Sequence, residues 1–154
     1  MRSRWTALLG VLVFAGLTPR SSQAQAPPQT PPRQSARGGL EQNTPNPMNP
    51  ETWIKFTVGD YPTCTNSSLR HAVSLTIYNT LGQRYAIPVL LQAGTASVAG
   101  GQPLSKLPLA CGSYQAYWNG KIIGSQKEAA SGVYQYHLEI DGRIIGARKM
   151  LVIK

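Results

Sequence analysis

Beyond residue 50, apolar and polar side chains alternate with a period of two over much of the chain, the spacing that sends successive residues to opposite faces of a strand. Residues 53–58 (WIKFTV) place Ile54, Phe56 and Val58 on one face and Lys55 and Thr57 on the other. Residues 72–78 (AVSLTIY) repeat the pattern with Val73, Leu75 and Ile77 inward, ahead of a turn at 79–82. A third strand is predicted over 84–91, with Pro88 marking an edge or a bulge because it cannot donate to a ladder. The Gly-, Ala- and Ser-rich stretch 92–108 predicts at most a short edge strand at 104–107. Alternation resumes at 112–118 (GSYQAYW), and Asn119-Gly120 is a turn signal. Residues 133–140 (VYQYHLEI) put Tyr134, Tyr136, Leu138 and Ile140 on one face, and Asp141-Gly142 closes a hairpin onto 143–153. No segment shows helical periodicity of useful length.

The closing hairpin contains a conflict of register. A two-residue turn would pair Leu138 with Ile145 and Tyr136 with Ala147, yet Met150 and Val152 have the opposite parity from Ile145. One extra residue near Gly146 resolves it, because a bulge flips the facing of everything beyond it. Six or seven short strands separated by Gly, Pro and Asn turns predict an all-β antiparallel sandwich.

Upstream the texture changes twice. Behind Arg2 and Arg4, residues 6–17 run without a charge, and small residues follow at Ser22, Ala24 and Ala26. This is the three-part pattern of a secretory signal peptide, 1–24, with cleavage after Ala24 preferred because Pro27 would follow the bond after Ala26. The apolar run reaches about 18 Å at about 1.5 Å per residue, short of a hydrocarbon core of about 30 Å, so no stable transmembrane segment is expected after processing. Residues 25–46 are rich in Pro, Gln, Ser and Gly with Leu40 as their one large aliphatic residue, which predicts a flexible linker. The folded domain is then expected over 47–154.

Export alters the charge and the cysteines. The formal +9 includes Arg2, Arg4 and Arg20; without them 12 basic and 6 acidic residues remain, or +6. These basic residues are scattered rather than interleaved with stacking aromatics, so no nucleic-acid partner is expected. Outside the cytoplasm Cys64 and Cys111 are expected to form a disulfide. No Cys or His stands at a chelating spacing from either, so no metal is expected. His71 and His137 show no partner in sequence, and the six acids form no visible pair. The expectation is therefore no enzyme and no cofactor. Asn66-Ser67-Ser68 meets the glycosylation acceptor pattern, which short sequences satisfy readily by chance.

Four segments carry a resemblance. NPMNPET (46–52) ahead of the first strand, VSLTIYNTLGQ (73–83), YWNGKIIG (117–124) and SGVYQYHLEIDGRIIGARKMLVIK (131–154) occur in this order. Together they resemble the immunoglobulin-like C-terminal domains of bacterial secreted proteins, a group spanning the type A sorting domains of type IX secretion and the related domain of the flagellar hook-capping protein. Met48 replaces the usual Phe, and Asn119 the usual Asp. The resemblance implies an immunoglobulin-like sandwich that is secreted, surface-attached or periplasmic and contacts protein partners, either secretion machinery or envelope components. It also implies recognition through the final strands, at Gly132, Tyr134, Arg148, Lys149 and Lys154. The alternative within the same group is a structural scaffold in the manner of the hook-capping domain.

Overall fold

The computed structural model of the chain describes residues 37–91 and 100–154. The signal peptide and residues 25–36 of the linker lie outside them, as does 92–99. The strands are β1 (Gly38–Leu40), β2 (Thr52–Val58), β3 (His71–Tyr78), β4 (Arg84–Ala86), β5 (Val89–Leu90), β6 (Leu107–Leu109), β7 (Gly112–Trp118), β8 (Gly132–Ile140) and β9 (Arg143–Val152). They form two antiparallel sheets, β1-β2-β7-β5 and β4-β3-β8-β9, with β6 pairing β3 in the second. The all-β antiparallel sandwich read from the sequence is the architecture observed.

The core lies between the sheets and takes the side chains that the alternation assigned to it. Ile54, Phe56 and Val58 of β2 meet Val73, Leu75 and Ile77 of β3 and Tyr136, Leu138 and Ile140 of β8, all buried. Each buried aliphatic side chain of this kind contributes about 1.5–3 kcal/mol through removal from water.

The register conflict in the hairpin is resolved by a bulge. Glu139 pairs with Ile144 and Leu138 with Gly146, leaving Ile145 as the extra residue. Beyond it Tyr134 pairs with Met150 and Gly132 with Val152, and both Met150 and Val152 are buried. A Cβ on Gly146 would lie 3.0 Å from that of Leu40, so the glycine lets β1 approach the bulged strand.

Three expectations are corrected. The strand expected over 84–91 is two strands in different sheets, β4 and β5, with Pro88 at the crossing point, where its missing N–H interrupts either ladder. The short edge strand lies at Leu107–Leu109 rather than 104–107. The linker, expected to run to residue 46, gives up at least its last ten residues, 37–46, to the fold. These are held by the core tyrosine Tyr136, whose hydroxyl donates to the Glu41 carbonyl (2.8 Å) and accepts from the Asn43 N–H (2.8 Å). Thr44 exchanges backbone hydrogen bonds with Trp53 (2.8 and 2.9 Å), and the buried Asn43 amide donates to the carbonyl of Pro45 and the hydroxyl of Thr52. Specific hydrogen bonds to the sandwich order a segment whose own composition would not.

Candidate functional site

The first candidate region is the closing hairpin. β8 begins beside Trp118, whose ring meets that of Tyr134 edge-on at 6.1 Å across the two sheets, and the Tyr85 ring lies 5.0 Å from that of Tyr134. The Tyr134 hydroxyl donates to the Ala130 carbonyl at 3.0 Å. Burial, reinforced by Tyr85, pushes this phenol up to about 12, so the side chain is a neutral packing element. A Cβ at Gly132, two residues earlier, would stand at ordinary contact distance from that ring, 3.9 Å from its Cε2.

Arg148 acts differently, since its Nε donates to the Leu40 carbonyl at 3.3 Å and ties β9 to β1. Lys149 and Lys154 are exposed, Lys154 with an ion pair to Glu128 at 3.1 Å. The five residues implied by the resemblance therefore divide. Tyr134 belongs to packing, with Gly132 half-buried beside it; Arg148 is exposed but tied to β1, and Lys149 and Lys154 are exposed without such a tie. Beside Lys149 the exposed aliphatics Val133, Leu151 and Ile153 continue the outer face.

The opposite end of the sandwich holds the second region. Cys64 and Cys111 are joined there, with Cα atoms 5.4 Å apart, as expected from the sequence. The bridge pins loop 59–70 to the start of β7. It borders an open cleft of about 500 Å³ lined by Arg37, Asp60, Leu69, Arg70, His71 and Asp141, among others. Asp141, read in the sequence only as a turn residue, is the partner His71 lacked: its Oδ2 lies 2.7 Å from His71 Nδ1, and its Oδ1 accepts from the Ala72 N–H at 2.9 Å. Asp60 accepts from the hydroxyl and N–H of Thr65, and the hydroxyl bond holds its carboxyl below the usual carboxylate range. Its other oxygen lies 3.7 Å from Cys111 Sγ, which, being in the disulfide, has no proton to give.

Sequence reading missed this cleft because its histidine and aspartate are 70 residues apart and meet only when β3 and the β8–β9 turn reach the same end. Among the described residues no group of three or more His, Cys, Asp and Glu is arranged to hold a metal ion. No helix among them is long and apolar enough to cross a membrane.

No protein-family model and no curated protein matches the chain. It is similar to the solved structure of the Pseudomonas fluorescens alkylpurine DNA glycosylase AlkC bound to DNA containing an abasic site analog, at 16% identity and a TM-score of 0.45. The match covers 77% of this chain but only 31% of that one, so the chain corresponds to less than a third of the glycosylase's length. The protein matched is an enzyme bound to DNA, which stands against the two expectations of no enzyme and no nucleic-acid partner, and neither is carried further. At this identity and TM-score the likeness transfers neither property to the present chain.

Proposed function

We propose that this chain is exported and that its sandwich, an immunoglobulin-like module resembling a type IX sorting domain, works by contact with protein partners at the cell surface or in the envelope. The observation that carries the reading is the division of β9. Met150 and Val152 fill the core while Lys149, Leu151, Ile153 and Lys154 remain exposed, so the last strand is at once fixed in place and readable from outside. The disulfide supports export, because such bonds persist in oxidising compartments. The signal-peptide pattern at 1–24 points the same way.

Fractionation of cells expressing the full chain tests the proposal. Lys149→Ala with Lys154→Ala should leave the domain folded and disulfide-bonded but retained in the periplasm, while the parent reaches the surface or medium. Normal release of the folded double variant removes the sorting role from these side chains. Parent chain found in the cytoplasm with both thiols reduced overturns the export reading itself.

A further inference from the structure

The cleft at the disulfide-bonded end holds two carboxylates and two guanidinium groups that form no ion pairs with one another. Both oxygens of Asp141 are engaged, by the His71 ring and the Ala72 N–H, and one oxygen of Asp60 by Thr65. Its two guanidinium groups are in no ion pair, although the charge of Arg37 reaches Asp60 and helps to lower that carboxyl. The ion pairs among the described residues are His71–Asp141 and Lys154–Glu128, so neither Arg37 nor Arg70 has a carboxylate within ion-pair distance. Residues outside the described set cannot supply one, because all six acids of the chain, Glu41, Glu51, Asp60, Glu128, Glu139 and Asp141, lie within it. Arg70 makes a single side-chain hydrogen bond, to the Ser67 carbonyl at 3.0 Å, which orients it and leaves most of its five donors unused.

His71 adds a directed edge. Its Nδ1 is held by Asp141, and its Nε2 has no protein partner among the described residues. Leu69 and the Cys111 side of the disulfide give the same cleft an apolar wall. Two planar guanidinium groups lining one cleft match the paired oxygens of a phosphate or carboxylate, since each fork can donate two parallel hydrogen bonds.

We propose that the cleft bordered by Arg37, Arg70 and His71 binds the oxyanion group, phosphate or carboxylate, of a small ligand whose apolar part rests on Leu69 and the disulfide. The site includes the β8–β9 turn through Asp141 but none of the outward residues Lys149, Leu151, Ile153 and Lys154.

Isotope-edited NMR of the disulfide-bonded full chain, titrated with inorganic phosphate and separately with acetate against sodium chloride at equal ionic strength, tests it. Saturable shifts of the Arg70 Nε–H and His71 ring signals are expected with at least one of the two probes and not with chloride. Saturation by phosphate alone assigns a phosphoryl ligand, and saturation by acetate extends the class to carboxylates. Arg37→Gln and Arg70→Gln should each weaken binding about tenfold, as removal of a charge-assisted donor pair does. Both side chains are exposed, so an unchanged thermal midpoint certifies that each variant is folded. Absence of saturation with both probes overturns the site, as do unchanged shifts of the His71 ring signals in the folded double variant.

Discussion

The two ends of the sandwich begin their central strands with one local device and finish it differently. At one end the sequence CGSYQAY (111–117) opens β7, at the other SGVYQYH (131–137) opens β8. In both, the tyrosine hydroxyl donates to the carbonyl of the residue four before it, Tyr114 to Ala110 at 2.9 Å and Tyr134 to Ala130 at 3.0 Å. Each bond pins the strand to its incoming loop, as in the tyrosine corner of immunoglobulin-type sandwiches. Beyond the shared bond the ends diverge. Tyr134 stands between the sheets, against Trp118 and Tyr85, and Met48 and Ala129 bury the rest of that end. Tyr114 stacks on Phe56, its ladder partner in the same sheet, and its end is closed by the disulfide, which leaves the loop polar and the cleft open. One end is sealed by packing and the other by a covalent bond. A covalent tie fixes a loop without filling it, which is the condition for a binding cleft on a rigid scaffold.

The largest effect expected from this contrast is at Tyr134. Tyr134→Ala removes a ring that bridges the sheets and should cost about 3–5 kcal/mol by denaturant unfolding, the range of large-to-small core changes. Tyr114→Ala should cost less, because its ring partner belongs to the same sheet. An equal or greater loss at Tyr114 would break the distinction between the two ends.

The complementary experiment opens the other end. Replacing both cysteines by alanine should lower stability by about 4 kcal/mol through the returned entropy of the unfolded loop. Hydrogen exchange should report where the structure loosens: amides of 59–70 should lose protection before those around Trp118 and Tyr134. Uniform loss would show that the disulfide holds the whole sandwich rather than its own end.

A smaller effect is expected where the former linker meets the sheets. A Cβ on Gly38 would sit 2.5 Å from the Thr57 carbonyl oxygen and 2.6 Å from Ile140 Cδ1. Gly38→Ala must therefore push β1 outward, at a cost of about 1–3 kcal/mol, as overpacking does. Faster tryptic cleavage after Arg37 in the variant would accompany it. No change in either quantity would show that β1 contributes nothing to the domain.

What the sequence displayed and what it hid follow from the range of the forces involved. The long strands were legible because half-buried strands alternate, and the bulge at Ile145 because the parity of Met150 and Val152 required it. β1 was not: Gly38 and Gly39 carry no hydropathic signal, and their order comes from the Thr57 backbone and from the Tyr136 hydroxyl just beyond. The sheet change between β4 and β5 was hidden for a similar reason, since Pro88 announces an interruption but not the direction of the chain beyond it. The candidate sorting residues were visible as a motif, yet their separation into Tyr134 in the core, Arg148 on Leu40 and Lys149 outside needed the bulge and β1 in place. His71 and Asp141 lay beyond sequence reasoning altogether, as a pair made by topology alone.

The smallest effect is expected at Lys149, and it tests the outward row of β9 on which the functional proposal rests. Lys149 pairs across the hairpin with Gln135, and its backbone carbonyl accepts from the Gln42 amide at 2.8 Å. Its side chain is exposed and forms no ion pair among the described residues. Alanine keeps the backbone carbonyl and its bond to Gln42 and removes only solvated methylenes and a charge. Lys149→Ala should therefore stay within about 0.5 kcal/mol of the parent in chemical unfolding. Met150→Ala, one residue on and facing the core, should cost several times more, about 2–5 kcal/mol. The ratio of the two neighbours is the sharper measurement, because a register slip of one residue would exchange them. A costly Lys149→Ala beside a mild Met150→Ala would mean that the bulge at Ile145 is misplaced, and the outward surface assigned to export would then belong to the core.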